Sequence, residues 1–426
     1  MKKSNLSREP YKGVRDFYPD EMRLRNYFFD IVREVVKSYG FDEYDASILE
    51  ESALYRAKTG DEIVNEQTYN FIDRGGREVT LRPEMTPSVA RMIARKRKEL
   101  TFPLKWFNIG RRYRYERMQK GRMREFWQLD CDVFGTDSIL ADCELIGIPY
   151  KILKKFGAED KNFEIRLNHR GLTNYILRNY LSLDEDSTFK VSKLIDRKAK
   201  MPEDEFVKMI ADIVEDKKDD LLEILEIADL EKLPEKIKQC QDYENLAHIF
   251  QGLENLGIKN FRYDSTLMRG FDYYTGVVFE VFDTDHKNGR SVFGGGRYDN
   301  LVGIFGVEKV SGIGFGMGDV VIMDFLRDYD LLPTDDELRE GIYVCLLGEG
   351  VREFAEKYAE NMRRKNEIID IDNTGKKLGD QIKIADKKGR KFVVIIGENE
   401  KNSGKARLKN LVSGEEIEID LENICQ

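Results

Sequence analysis

The chain has 426 residues, 41% of them hydrophobic and 35% charged, enough apolar material for a sizeable core and too much for wholesale disorder. Seventy Lys and Arg stand against 79 Asp and Glu, and the net charge of −9 confines any nucleic-acid contact to local patches. No stretch approaches the roughly 20 apolar residues of a membrane span, the amino-terminal MKKSNLSREPYKG lacks the apolar centre of a signal peptide, and the five cysteines lie far apart with no C-x-x-C pair, so a reduced, cytosolic chain is expected.

In chain order, residues 21–39 read as an amphipathic helix, with Leu24, Tyr27, Phe28, Ile31 and Val35 on one face and Gly40 as its stop. Strands are expected near 79–83, 104–116 and 125–134. From 172 to 255 the pattern turns helical and highly charged. Within it, residues 201–240 hold 13 acidic and 6 basic side chains, a net of −7 that leaves only −2 for the rest of the chain. Strand signals return from 261 to 320. The helical block therefore reads as an insertion into one β-rich domain made of 1–171 and 256–332. After a break near 331–336, which contains Pro333, strand and helix alternate over 337–426, predicting a small α/β domain with a largely parallel sheet. Histidines 169, 248 and 286 are never three or four apart, and no metal site built from protein groups alone is expected.

Three segments carry the chemistry. The first is strand–loop–strand, RRYRYERMQKGRMREFWQLDCDVF (111–134). Side chains alternate faces along a strand, so Arg112, Arg114 and Glu116 share one face, as do Gln128, Asp130 and Asp132; Trp127, Leu129, Cys131 and Val133 form an apolar face opposite. The joining loop carries Arg117, Lys120, Arg122 and Arg124. Guanidinium forks match phosphate oxygens, so such a loop suits a polyphosphate; a solvated charged hairpin is the alternative. The second is SGIGFGMGD (311–319), whose glycines at 312, 314, 316 and 318 leave one strand face bare. Either a flat group lies on that face or the segment is a glycine-rich bulge. Asp319 is expected to cap the helix that follows. The third is a pair of flanking clusters. RGFDYYTG (269–276) puts Arg269, Asp272, Tyr273 and Tyr274 at the head of strand VVFEVF, and FGGGRYD (293–299) reads as a triple-glycine turn before Arg297 and Tyr298. Arg269 either acts on substrate or pairs with Asp272. Upstream, LRPEMT (81–86) fixes Glu84 at a strand-to-helix turn, where a carboxylate can hold an ammonium group.

Together these segments, with YKGVRDFYPDE near the start and KIADKKGRKFVVIIGENE near the end, resemble histidyl-tRNA synthetases, class II aminoacyl-tRNA synthetases, over nearly the whole chain. The resemblance implies an α+β fold: a six-stranded antiparallel catalytic sheet with helices, a helical insertion, a carboxy-terminal α/β anticodon-binding domain, and a cytoplasmic homodimer. It implies ligation of histidine to tRNA through a histidyl-adenylate, with ATP and Mg²⁺ as cofactors. Arg114 and Glu116 would hold ATP over the strand containing Gly314 and Gly316. Glu84, Gln128, Asp132, Tyr273, Tyr274, Tyr298 and Arg122 would bind histidine, Asp132 meeting the imidazole. Arg269 and Arg114 would be catalytic. Two positions depart from the family pattern: Ser47 replaces the usual proline of the first class II motif, and Val321 stands where the third motif ends in an arginine. The second departure keeps a rival open, a non-catalytic regulatory subunit of ATP phosphoribosyltransferase. Lys383, Lys387, Lys388, Arg390 and Lys391 form either a tRNA-facing basic patch or a solvated helix end.

Overall fold

The computed structural model describes residues 6–56, 67–198, 201–268, 274–285 and 291–421. Arg269, Asp272 and Tyr273 lie outside these described residues. The chain divides into two compact units, residues 1–16 with 29–332, and residues 17–28 with 333–426.

In the larger unit the strands are β1 (Asp42–Glu43), β2 (Leu49–Glu51), β3 (Tyr69–Ile72), β4 (Glu78–Leu81), β5 (Leu104–Tyr113), β6 (Glu125–Phe134), β7 (Phe163–His169), β8 (Phe261–Tyr263), β9 (Val277–Asp283), β10 (Ser291–Arg297) and β11 (Gly312–Gly318). Eight of them form one sheet in the order β1-β5-β6-β11-β10-β9-β7-β8, and β2-β4-β3 form a small second sheet. The six central strands of the large sheet pair antiparallel throughout. Two short edge strands, β1 and β8, add to it in parallel, so the sheet is wider than the six strands expected. Its apolar face carries Leu129, Cys131, Val133, Ile313, Phe315 and Met317, all buried. The helices Ile139–Lys155 and Asp319–Asp328 pack on the strands that present these residues. The first of these helices is capped by Ser138, whose hydroxyl accepts from Leu140 N–H. Between β7 and β8 the chain runs through a succession of helices from Arg170 to Asn255, with Val191, Leu194, Ile195, Phe206, Ile210 and Leu221 buried.

Three local expectations are corrected. β5 ends at Tyr113 rather than near 116, because the backbone N–H of Tyr115 turns to the carbonyl of Gln67 and that of Glu116 bonds back to Arg114. The three glycines 294–296 are not a turn. They lie inside β10, a central strand paired on both sides. Asp319 does not cap its helix: Gly318 holds the N-cap position, and the Asp319 carboxylate instead accepts from Trp127 N–H at 3.0 Å and pairs with Arg15 at 2.7 Å.

The smaller unit holds β12 (Glu340–Leu346), β13 (Ile369–Ile371), β14 (Arg390–Ile396), β15 (Lys405–Asn410) and β16 (Glu416–Asp420), in the order β13-β12-β14-β15-β16. The first three are parallel and the last two return antiparallel. The helices Arg352–Arg364 and Leu378–Lys387 supply the crossovers that parallel pairing requires.

Candidate active site

The site begins with the absence of side chains. Gly314 of β11 lies opposite Gly296 of β10, and Gly316 lies opposite Gly294. Two adjacent strands are therefore bare on one face, a floor about 10 Å across at the usual strand spacing. On one side rises the polar face of β6, with Asp132 opposite Gly314, Asp130 opposite Gly316 and Gln128 opposite Gly318. On the other side stands β9, with Val278 opposite Gly296 and Glu280 opposite Gly294. A side chain on either glycine of β11 would collide with this wall. A methyl group on Gly316 would lie 2.8 Å from Nε2 of Gln128, and one on Gly314 would overlap Oδ1 of Asp132.

Asp132 is the most perturbed group of the wall. It is 3% exposed, and Tyr298, 2% exposed, donates its O–H to Oδ1. The other oxygen, Oδ2, is buried with no hydrogen-bond partner. Burial pushes the carboxyl up to about 8; Asp130 adds to the rise, while the Tyr298 hydrogen bond and Arg112 oppose it. The Tyr274 and Tyr298 rings meet edge to face at 6.4 Å. Beside Asp132, Asp130 is tied down on both oxygens: Gln128 Nε2 donates to Oδ1 at 2.7 Å, and Arg112 pairs with Oδ2 at 2.5 Å. Arg112 also donates to Asn108 Oδ1 at 2.7 Å and is fully buried. Although alternation puts Arg112 on the face of Arg114, it braces the wall from beneath and does not line an open pocket.

A cavity of about 1340 Å³ has walls that include Arg114, Glu116, Arg122, Gln128, Glu280 and Val321. Among the residues singled out from sequence, Arg114, Glu116, Arg122 and Gln128 thus share one cavity. Glu84, Asp132, Tyr274 and Tyr298 are buried and do not line it, and Gly314 underlies the Asp132–Tyr298 pair. Arg114 is held by Nε donating to Pro83 O at 3.1 Å and by stacking 5.2 Å above Phe126, which leaves its fork facing the cavity. Arg122 forms an ion pair with Glu116 at 2.7 Å. The loop turns at Gly121, whose φ of +76° suits glycine, and a methyl there would lie 3.2 Å from Val321 Cγ2. The loop tip therefore sits on Val321, the position where the resemblance implies an arginine. Arg124 is directed elsewhere, stacking 4.2 Å over Tyr115, while its N–H and that of Glu125 donate to Gly13 O.

Sequence reasoning missed Arg15 and Glu280. Glu280 had a signal, an acidic residue inside an otherwise apolar strand run. Arg15 had none, since its partner Asp319 is 304 residues away. Within the carboxy-terminal basic cluster, Lys388 and Arg390 both pair with Asp370, at 2.8 and 3.5 Å, and Lys383 with Asp380 at 3.8 Å.

Comparison with known proteins gives consistent matches. The family model described as histidyl-tRNA synthetase matches residues 13–318, and that for an anticodon-binding domain matches 341–426. A Leptospira biflexa protein named histidine–tRNA ligase is 40% identical over all of this chain and 98% of its own length. An Arabidopsis thaliana chloroplastic/mitochondrial histidine–tRNA ligase is 37% identical over 97% of this chain and 85% of its own. The crystal structure of histidyl-tRNA synthetase from Nostoc sp. PCC 7120 superposes with a TM-score of 0.83 at 26% identity, covering 98% of this chain and 99% of that one.

Proposed function

Since the chain belongs to the histidyl-tRNA synthetase family, we propose that it charges tRNA with histidine in two steps, first joining histidine to the adenylate of ATP and then passing the histidyl group to the terminal ribose of tRNA. It is a class II aminoacyl-tRNA synthetase. The regulatory-subunit alternative draws on Val321 alone. It is outweighed by curated ligases that match at 35–40% identity over nearly the full chain.

The observation that carries the site assignment is the buried Oδ2 of Asp132, held without a partner above a glycine floor by a carboxyl whose other oxygen is anchored to Tyr298. An imidazole has a ring nitrogen for that oxygen and is flat enough for that floor. Glu84, Gln128, Tyr273, Tyr274 and Tyr298 complete the histidine pocket. Arg114 and Glu116 take the α-phosphate and adenine of ATP, and binding of adenine exchanges the Glu116–Arg122 ion pair for substrate contacts. The first step is attack of a carboxylate on the α-phosphorus. Two anions must meet, and Arg114 with Arg269 neutralises the charge that develops. No protein nucleophile is required.

Magnesium fits as a companion of the triphosphate. Among the described residues no cluster of three or more His, Cys, Asp or Glu is arranged to hold a metal, yet Glu280 contributes one carboxylate to the cavity wall. One carboxylate plus phosphate oxygens and water is the usual set for this ion. Bound there, it would screen phosphate charge. The carboxy-terminal unit reads the anticodon, bases of a single-stranded loop splayed against it. The working form is a cytoplasmic homodimer; among the described residues no helix is long and apolar enough to cross a membrane.

The test is histidine-dependent ATP–pyrophosphate exchange. Asp132→Asn should raise the histidine KM roughly 10-fold or more, as leaving a buried polar partner unsatisfied predicts, and leave the KM for ATP unchanged. Unaltered histidine affinity would remove Asp132 from the pocket. Absence of exchange in the unmutated protein would overturn the ligase reading.

A further inference from the structure

A second cavity, of about 580 Å³, borders β8, the edge strand of the large sheet. Its walls include Leu230, Phe250, Glu254, Lys259, Phe261 and Tyr263, and none of its lining residues lines the first cavity. Phe250 comes from the helix Gln241–Asn255 and meets Phe261 of β8 edge to face, centroids 4.9 Å apart. Tyr263 is 1% exposed, and its hydroxyl is buried with no hydrogen-bond partner. Four charged residues line the cavity, and two of them are engaged within the chain. Asp229 accepts from Glu231 N–H at 3.1 Å, and Arg262 pairs with Glu164 at 3.0 Å. The other two, Glu254 and Lys259, form no ion pair among the described residues; Glu254 takes a 3.5 Å contact from Gln251 Nε2.

Arg262 also belongs to a closed ring of alternating charge. Glu164 pairs with Nε of both Arg262 and Arg166, at 3.0 and 2.9 Å, and Asp264 completes the ring, 3.5 Å from Arg166 and 3.6 Å from Arg262. Arg262 lines the second cavity, whereas Arg166 and Asp264 line the active-site cavity, so the ring touches both. An aromatic-walled cavity with one unpaired carboxylate and one unpaired ammonium is complementary to a molecule that brings the opposite pair. An amino acid does so, offering its carboxylate to Lys259 and its ammonium to Glu254. Phe250 and Phe261 favour an aromatic side chain, since rings set edge to face or stacked gain beyond their buried area. A polar atom on that ring supplies the partner that the Tyr263 hydroxyl lacks. We propose that this cavity binds a free amino acid with an aromatic side chain, and that the Arg262–Glu164–Arg166–Asp264 ring carries its occupancy to the active-site cavity. The site is independent of the histidine pocket assigned above.

The probe is L-tryptophan, titrated calorimetrically into the full-length protein. Saturable binding is expected, weakened at least about tenfold by Lys259→Glu and by Glu254→Lys, the loss for one hydrogen bond to a charged group. Both residues are exposed, and the melting temperatures of these variants should match that of the unmutated protein. Tyr263→Phe should weaken tryptophan about threefold, as loss of one neutral hydrogen bond predicts, and leave L-phenylalanine unaffected, because only the indole has a donor for the hydroxyl. Asp132→Asn should leave tryptophan affinity unchanged. In pyrophosphate exchange, saturating tryptophan should shift the histidine KM at least about fivefold, the lower end of usual coupling between sites. Glu164→Gln, which opens the charged ring, should abolish that shift. Absence of saturable binding, or an affinity indifferent to both charge reversals, would overturn the site. Affinity lost in Asp132→Asn alone would put tryptophan in the histidine pocket and overturn it equally. Binding that leaves the histidine KM unmoved would overturn the coupling.

Discussion

Replacing Gly314 by alanine adds one methyl group to a part of the sheet that has no room for it. The methyl would overlap Oδ1 of Asp132 and lie 2.5 Å from the Tyr298 hydroxyl, so it lands on the hydrogen bond that orients the carboxyl. Neither partner can retreat easily: Asp132 is on a central strand between β5 and β11, and Tyr298 is 2% exposed. Overpacking of a filled interior costs about 1–3 kcal/mol. If the strain is relieved by turning Asp132 away, the contact to histidine proposed for it is lost, at a cost of about 1.5–3 kcal/mol. At about 1.4 kcal/mol per factor of ten, the second route lowers histidine affinity roughly 10- to 150-fold. The assay is histidine-dependent pyrophosphate exchange together with a thermal melt. Two glycines calibrate it. At Gly316 the methyl would meet the end of a flexible amide, Nε2 of Gln128 at 2.8 Å, and a smaller effect is expected. At Gly379, in the helix Leu378–Lys387, nothing lies within 4 Å, and Gly379→Ala should leave exchange unaltered. A Gly314→Ala protein with a normal melt and normal histidine KM would refute the idea that the bare floor exists to seat Asp132 and its ligand.

Two further outcomes follow from buried charge. Asp132, raised from 3.8 to about 8 in the fold, keeps its proton where the unfolded chain has lost it, so between about pH 4 and 8 the native state binds more protons and stability falls as pH rises. Urea unfolding at pH 5 and pH 8 should show a smaller loss for Asp132→Asn than for the unmutated protein; equal losses would mean the carboxyl titrates normally. Arg112→Met should destabilise by about 3–5 kcal/mol, because Asp130 would be left buried without its cation, and chemical denaturation that shows less than about 1 kcal/mol would place water beside Asp130.

Much of this site was legible because strand alternation is a two-residue code that side chains obey. Gln128, Asp130 and Asp132 share a face as the pattern requires, and the glycines of β11 present the bare face opposite them. The readings that failed did so where pairing partners, not local pattern, decide the outcome. Three successive glycines look like a turn, yet 294–296 are held straight by neighbours on both sides, β9 and β11, which are distant or distinct in sequence. Arg112 has the same alternation phase as Arg114, but only tertiary structure places Asn108 and Asp130 around it. The edge strands β1 and β8 span two and three residues, too short for any period to register.

The brace that Arg15 and Gly13 make with the catalytic strands ties the chain's leading segment to the chemistry. Gly13 closes the base of the loop by accepting from Arg124 and Glu125, and Arg15 locks Asp319 at the start of the helix that bears Val321. A cut between Gly13 and the first helix would remove no pocket residue, yet would unfasten the loop and that helix together. Proteolytic trimming that removes Gly13 and Arg15 would therefore loosen the Arg117–Arg124 loop and the helix that carries Val321 in a single event.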